Sequence, residues 1–280
     1  MTQPRLPTYF LSHGGGPWPW MKEFRPGAYD LLEASLHDVR REVGQAPRAI
    51  LMISGHWEEH DFMLSSAAHP PMVYDYRGFP DHTYHIRYPA PGAPTLARTV
   101  QTMLVNGGVV AHLDSQRGFD HGTFSLMHTM YPKADMPLLQ LSLKASLDPA
   151  AHIQAGRLLA PLRDEGVLII GSGFSFHDTR SIMNGAGAAA SAAFDGWLNE
   201  TLVDSSPQAR EHGLLHWTDA PAARSAHPRE DHLLPLMVAV GAAGGDAGHL
   251  IYRQTDFMGA ITVSSYRFGS LTTPLTASRR

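Results

Sequence analysis

A chain of 280 residues, of which 43% are hydrophobic and 17% charged, has the composition of a soluble globular protein and not of a disordered one. Its net charge of −4 argues against nucleic acid or an anionic membrane surface as the main partner. The sequence contains neither an apolar run of about 18 residues nor a secretory signal pattern, so we expect a cytoplasmic protein without a membrane span.

The pattern of apolar residues predicts strands and helices in alternation. In chain order, the predicted elements are a strand over 7–12, a helix over 29–43, strands over 48–55 and 60–66, a helix over 93–105, strands over 108–113 and 136–143, a helix over 149–164, a strand over 166–171, a helix that begins in the Ala/Gly stretch 185–193, a helix over 229–243, and two strands within 249–268. This alternation predicts an α/β fold: a single domain over 1–280, with a central, mostly parallel or mixed sheet and helices on both faces.

Cysteine is absent from the chain, and this limits the chemistry of any site. Thiolate nucleophiles, iron–sulfur clusters and cysteine-type zinc sites are excluded. A metal would have to be held by nitrogen and oxygen ligands, which leaves Fe(II), Zn, Mn and similar ions.

Histidines recur at or shortly after short apolar runs. The histidines in such positions are His13, His56, His177 and His232. A buried strand followed by small residues and then a polar one is expected to deliver that polar side chain to the edge of a sheet. Several imidazoles at one edge suggest a metal centre.

His13 precedes three consecutive glycines, which permit a ligand to approach the main chain closely. A phosphate-binding loop is disfavoured, because no Lys-Ser or Lys-Thr pair follows and the GxGxxG spacing is absent. His56 is followed by Glu58 and Glu59, which could orient its ring as a metal ligand. The alternative is that His13 is a hydrogen-bonded or capping residue and His56 a buried core histidine.

Two histidines flank the segment Pro-Arg-Glu-Asp. Pro228 is predicted to occupy the first position of the helix over 229–243, with two acidic residues in its first turn. His232 would then lie near the positive end of the helix, which favours the neutral imidazole that metals bind. His232 is therefore either a metal ligand or a surface residue, and His227 is expected to cap the helix.

His121 and His177 are candidates for acid–base catalysis near such a metal at neutral pH. A serine nucleophile is only weakly supported, because the segment that precedes His177 does not match the GxSxG elbow. Asp120 and Asp178 adjoin the two histidines but would point the other way if the backbone were extended.

Two long loops rich in proline and glycine, 14–20 and 72–92, are expected to be functional. Their aromatic residues could form the rim of a pocket for a flat substrate. Among them, we expect Trp18, Tyr74 and Phe79 to line the pocket.

Taken together, the motifs are similar to those of a known family. In sequence order they are Ser12-His13-Gly14, Ser54-Gly55-His56-Trp57, Gly78-Phe79-Pro80 with Tyr88-Pro89-Ala90-Pro91-Gly92, Phe119-Asp120-His121-Gly122, Gly171-Ser172-Gly173 with His177, and His227-Pro228-Arg229-Glu230-Asp231-His232. From about residue 8 to residue 266, the chain resembles the class III extradiol ring-cleavage dioxygenases, in the branch similar to 4,5-DOPA dioxygenase.

The resemblance implies a mononuclear metal held by His13, His56 and His232. It also implies that His177 is the catalytic histidine, which takes a phenolic proton and later returns one, and that His121 stabilises negative charge on oxygen. Fe(II) is then expected for activity, and Zn(II) can occupy the site in purified protein. The implied substrates are a small catechol and O2, and the implied product is a semialdehyde.

The chain departs from the family pattern at two places. Gly-His-Gly-Ser-Pro is usual where this chain has a serine before His13 and three glycines after it, and an asparagine is usual where it has Phe174-Ser175-Phe176. Both changes enlarge the pocket wall or make it more aromatic, so Phe176 is a further candidate for the pocket. Neither the particular catechol nor the oligomeric state follows from the sequence.

Two other functions are compatible with the same residues. Three histidines and a water molecule also describe a zinc-dependent amide or ester hydrolase. A non-catalytic binding or signalling protein on the same fold is the other alternative, and the presence of all five site histidines argues against it.

Overall fold

The computed structural model describes residues 5–44 and 47–271, so the ends of the predicted domain, 1–280, lie outside the described residues. The strands are β1 (Thr8–Ser12), β2 (Ala49–Glu59), β3 (Phe62–Ser65), β4 (Ala111–Asp114), β5 (Leu138–Lys144), β6 (Val167–Gly173), β7 (Gly248–Phe257) and β8 (Ile261–Phe268). The α-helices are α1 (Asp30–Val43), α2 (Pro94–Asn106), α3 (His121–Met130), α4 (Pro149–Leu159), α5 (Thr179–Asn184), α6 (Ala188–Asn199), α7 (Pro207–Leu215), α8 (Ala223–Ala226) and α9 (Leu234–Ala243).

The strands form one eight-stranded mixed sheet in the order β4-β3-β5-β2-β6-β1-β8-β7. Its centre is parallel, since β6 pairs in parallel with both β1 and β2, and β2 pairs in parallel with β5. Antiparallel pairing appears only towards the edges, where β3 meets β5 and β8 lies between β1 and β7. The predicted α/β class and mixed sheet are confirmed.

Helices cover both faces of this sheet, and two neighbouring residues of β6 show how. The hydroxyl of Ser172 donates to the carbonyl of Gly122 in α3, 2.6 Å away. Gly171 faces the opposite side, where a side chain would overlap the carbonyl of Pro235 in α9. Because successive residues of a strand point to opposite faces, α3 and α9 lie on opposite sides of the sheet. Every residue of β6 is accordingly buried.

The main differences from the predicted elements concern the helices: α3, α5, α7 and α8 were not predicted, and one predicted helix begins later than expected. Helix α3 was not predicted, because nearly all of its residues are buried and no amphipathic pattern marks it. The helix predicted over 229–243 begins only at Leu234. Residues 228–233 form turns instead, in which Arg229 is paired with Glu58 and Glu230 with Arg224.

The carboxyl ends of the parallel strands β1, β2 and β6 meet at one edge of the sheet. In sheets of this kind, ligands bind at that edge. None of the helices in the described part of the chain has the length and apolarity needed to cross a bilayer.

Candidate active site

Three imidazole nitrogens converge at this edge of the sheet. His13 follows the last residue of β1, His56 lies near the end of β2, and His232 lies in the turn before α9. Nε2 of His56 is 3.2 Å from Nε2 of His13 and 3.1 Å from Nε2 of His232. The sheet thus brings together side chains from three distant parts of the sequence.

In each of these rings the other nitrogen, Nδ1, lies beside an oxygen atom. The distances are 2.8 Å from His13 to the carbonyl of Gly14, 3.2 Å from His56 to Oδ2 of Asp75, and 3.1 Å from His232 to Oδ2 of Asp231. An adjacent oxygen favours the tautomer with the proton on Nδ1. We therefore assign the proton to Nδ1 in His13 and His56, so that their Nε2 lone pairs face each other. Nδ1 of His232 lies near Asp231 but forms no hydrogen bond within the described part of the chain.

This arrangement fits a bound cation. Facing lone pairs at such a short separation repel each other unless a positive ion lies between them, and two nitrogens each about 2.1 Å from one ion lie at most about 4.2 Å apart. Burial is the main cause that holds the pKa values of His13, His56 and His232 well below the usual range. The rings are therefore neutral at pH 7, as metal binding requires.

Distance alone leaves other groupings open. Atoms of His121 lie within 4.8 Å of atoms of His13 and His56, and His177, Asp231 and His232 form a second group within the same distance. The direct contacts between Nε2 atoms, however, connect His13, His56 and His232.

Asp75 contacts two of the histidines, and it was not predicted from the sequence as a site residue. Its Oδ2 lies beside His56, and its Oδ1 accepts hydrogen bonds from both Nδ1 and the main-chain nitrogen of His121, at 2.9 and 3.0 Å. Burial by itself raises the pKa of Asp75, but the contacts with His121 and His56 outweigh it and lower the pKa to about 2. The carboxylate is thus charged and holds both rings in place.

Sequence reasoning missed Asp75 because it lies in an irregular loop, although that loop, 72–92, was predicted to be functional. The acids that follow His56 have other partners. Glu58 pairs with Arg229, and Glu59 accepts a hydrogen bond from the indole of Trp57.

Asp120 fixes the position of His121. It caps the N-terminus of α3, and its buried carboxylate accepts hydrogen bonds from Ser54, Arg117 and Gln140 at 2.7 to 3.0 Å. His121 is the first residue of that helix, so its ring is held by a rigid element. An aspartate N-cap is the sequence signal that could have predicted α3.

His177 lies four residues beyond the end of β6, in a segment held by the hydrogen bond from its main-chain nitrogen to the carbonyl of Ala226, 2.8 Å long. Its ring stacks on that of His232. Burial, followed by the proximity of His121, lowers the pKa of His177 to about 4. A neutral imidazole that lines a cavity beside the histidine cluster can accept a proton from a bound ligand.

Comparison with known proteins decides the family. Residues 7–269 match the family of the catalytic LigB subunit of aromatic ring-opening dioxygenases. The chain belongs to this family. A 4,5-DOPA dioxygenase extradiol of Beta vulgaris is 38% identical over 94% of this chain and 96% of its own length, and that of Portulaca grandiflora is 41% identical over 80% and 83%. A solved structure of an uncharacterised protein from Escherichia coli K12 superposes with a TM-score of 0.77 at 28% identity and covers 95% of this chain and all of its own.

The protein is therefore an extradiol aromatic ring-opening dioxygenase that uses a small-molecule substrate and O2. Dioxygenases of the LigB family depend on a metal, and the described residues contain a group of three histidines that could hold one, His13, His56 and His121.

The active site of the dioxygenase opens into a cavity of about 490 Å³. The volume lies within the range of pockets that bind small organic ligands. Apart from the histidines, its wall is mainly apolar and aromatic. The large uncharged side chains that line it are Trp18, Met21, Phe24, Tyr29, Phe79, Phe174, Ile182, Met183, Phe257 and Met258.

Of the four aromatic residues expected in the pocket, the structure places two in its wall and two elsewhere. Trp18 and Phe79 line the cavity. Tyr74 instead donates a hydrogen bond to the carbonyl of Ile86, and Phe176 is buried among core residues. Phe174 lines the cavity in place of Phe176. In an extended segment the two side chains would point to the same side, but the backbone bends at Ser175, between them.

His227 does not cap α9, which begins at Leu234; it is instead the C-cap residue of α8. It is fully buried, its Nε2 lies 3.1 Å from the carbonyl oxygen of Ser175, and its ring contacts Phe194 and Trp217 edge-on. These contacts attach the segment before His232 to the segment before His177, away from the converging nitrogens.

Proposed function

We propose that the protein is an Fe(II)-dependent extradiol dioxygenase that cleaves a catechol ring beside its two hydroxyl groups and yields a semialdehyde. The observation that supports this proposal best is the convergence of three Nε2 atoms in the wall of an aromatic cavity. In the proposal, His13, His56 and His232 bind the metal. When bound, Fe(II) would supply the redox chemistry and open coordination positions for a catecholate and O2.

His177 is proposed as the acid–base residue. Its neutral ring lines the cavity beside His232 and can accept a phenolic proton as the catechol enters. The same ring can return the proton at a later stage, when negative charge has developed on oxygen. Its pKa of about 4 keeps it unprotonated before substrate binds.

His121 is proposed to stabilise negative charge on oxygen. Because Nδ1 donates to Asp75, only Nε2 can meet a ligand in the cavity, and it can donate to an oxygen anion only in the imidazolium form, in which both ring nitrogens carry a proton. A hydrogen-bonding group held rigidly by Asp75 and by the start of α3 needs no rearrangement during the reaction, which is the main requirement for electrostatic stabilisation.

The apolar wall is proposed to hold the flat ring and to exclude water. Phe174 lies with its ring centroid 6.1 Å from that of His13 and packs edge-on against Phe257. Aromatic rings prefer such offset or edge-on contacts with one another, so a catechol ring fits this surface.

The test is anaerobic reconstitution with Fe(II) after removal of bound metal by a chelator. Because zinc binds nitrogen ligands more tightly than ferrous iron does, we expect protein purified in air to contain zinc in part of its sites. On admission of O2 with a panel of catechols, we expect oxygen uptake and a new visible absorbance from the semialdehyde. The zinc form is the control, and it should take up no oxygen. Absence of oxygen uptake with every catechol, combined with amide or ester hydrolysis by the zinc form, would overturn the proposal in favour of a hydrolase.

A further inference from the structure

Apart from the histidines, Arg25 is the one side chain among the described residues of the cavity wall that carries a positive charge. No carboxylate in that wall pairs with it. Nη1 of Arg25 lies 3.0 Å from the sulfur of Met258, and Nη2 lies 4.0 Å from the sulfur of Met183. A thioether sulfur is only a weak hydrogen-bond acceptor, whereas a guanidinium has five donors arranged to match a carboxylate. Arg25 is therefore available to an anionic ligand.

An apolar wall separates Arg25 from the metal-binding histidines. Trp18 donates a hydrogen bond from its indole nitrogen to the carbonyl of His13, 2.7 Å away, and stacks on Tyr29 with centroids 4.9 Å apart. Tyr29 in turn packs edge-on against Phe257, whose neighbour in sequence, Met258, contacts Arg25. A ligand that reaches from the histidines to Arg25 must pass along these aromatic faces.

No aspartate or glutamate of the described chain lines this cavity. A substrate ammonium group would therefore lose its hydration without gaining a counter-charge, which is unfavourable. A carboxylate in the same position would meet Arg25.

On this basis, and resting on the proposed function, we infer that Arg25 determines substrate specificity by binding a carboxylate on the side chain of the catechol. The substrate class is a catechol with an apolar spacer that ends in a carboxylate and has no neighbouring ammonium group. The names of the plant relatives refer to DOPA, which has both groups. The position of Arg25 therefore predicts that this enzyme prefers a catechol with a side-chain carboxylate and no amino group over DOPA.

Three probes share the catechol ring and a two-carbon side chain and differ in the group at its end. They are 3-(3,4-dihydroxyphenyl)propionate, dopamine and 4-ethylcatechol, whose side chains are anionic, cationic and neutral. With the Fe(II)-loaded enzyme, kcat/KM for the propionate is expected to exceed that for 4-ethylcatechol by about tenfold, mainly through KM, as for one charge-assisted hydrogen bond. Dopamine is expected to be the poorest of the three.

Two variants at Arg25 and one matched control test the assignment. Arg25→Gln should reduce the preference for the propionate over 4-ethylcatechol about tenfold, to near equality. Arg25→Glu should shift the preference towards dopamine. Arg180→Gln removes the same charge from α5, whose neighbouring residues line the cavity although Arg180 itself does not, and it should retain the preference.

A binding measurement adds a readout that does not depend on turnover. Under anaerobic conditions, calorimetry with the zinc-loaded protein should show tighter binding of the propionate than of dopamine, and Arg25→Gln should remove that difference. If Arg25→Gln takes up oxygen and still prefers the propionate to the same degree, Arg25 does not determine specificity. The proposed reaction would be unaffected by that result. If the proposed reaction itself is wrong, the wild-type enzyme will take up no oxygen with any of the three probes. The inferred substrate class would then be wrong as well.

Discussion

The imidazole rings of His177 and His232 stack face to face, with centroids 3.3 Å apart and an angle of 15° between their planes. Their surroundings nevertheless differ. Nε2 of His232 faces Nε2 of His56, whereas His177 has no such contact among the described residues and is more open to the cavity. In the proposed function these two adjacent histidines have different tasks, one at the metal and one at the substrate.

Substitution of the two rings should therefore have different effects. His177→Ala is expected to retain the metal and to lower kcat by roughly 10²- to 10⁴-fold, as for loss of a general acid–base group. His232→Ala removes one of the three converging nitrogens and is expected to lose the metal. Metal analysis of both variants after reconstitution, together with single-turnover kinetics of the first, checks the assignment. The opposite pattern, with metal lost from His177→Ala and kept in His232→Ala, would exchange the two roles.

Asp75 should support metal binding and catalysis at the same time. Asp75→Asn keeps the shape of the side chain but removes the charge that both His56 and His121 contact. Loss of such a partner typically costs about 10- to 100-fold in metal affinity or activity, and we expect a loss of that size here. Asp81→Asn, at an exposed position of the same loop, is the matched control for expression and loop stability. Equal metal affinity and kcat in the two variants would contradict this role for Asp75.

Gly14 should be required for the position of His13. It has φ of +78°, and a Cβ there would lie 2.7 Å from the indole of Trp18. Its carbonyl is also the partner of Nδ1 of His13. Gly27 has a similar φ of +80° with open space around it, so Gly27→Ala measures the backbone strain alone.

Both glycine variants are expected to lose about 1 to 2 kcal/mol of unfolding free energy through the left-handed backbone. Only Gly14→Ala is expected to lose metal affinity in addition, because Trp18 and the chain around His13 must move. Chemical denaturation and metal titration of the two variants separate these effects. If Gly27→Ala lowered metal affinity as much as Gly14→Ala, steric crowding at Gly14 would not be the cause.

His152 should make the stability of the metal-free protein depend on pH. It is buried beneath β5, donates from Nδ1 to the carbonyl of Asp148 and accepts from the main-chain nitrogen of Lys144. Burial lowers its pKa from 6.5 to about 4. Between these values the unfolded chain binds a proton that the folded chain does not, so stability falls as the pH decreases from 6.5 to about 4.

The contribution of His152 to this slope is expected to be about 1.4 kcal/mol per pH unit at most. His152→Gln replaces the ring by a group that does not titrate, and its unfolding free energy should decrease less steeply over the same range. Urea denaturation of both metal-free proteins between pH 4.5 and 7 measures the two slopes. Identical slopes would show that His152 does not contribute to the acid sensitivity.

Several features of the site could be predicted from local sequence because they depend on local patterns. Apolar runs that end in a histidine predicted the strands before His13 and His56, and parallel pairing of those strands places both residues at one edge of the sheet. The alternation of strands and helices predicted the α/β class. The absence of cysteine limited the ligands of any metal to nitrogen and oxygen.

The tertiary structure decided what local patterns could not contain. Asp75 lies in an irregular loop, and its role exists only because the fold brings that loop against both His56 and His121. Helix α3 has no amphipathic face to detect, since nearly all of it is buried between the sheet and its neighbours. The sequence by itself determined which residue types are present and which apolar runs form the strands that carry the histidines. Which nitrogens face one another, and which charged group meets the cavity, depended on contacts between residues far apart in the chain, and such contacts leave no periodic signal in the sequence.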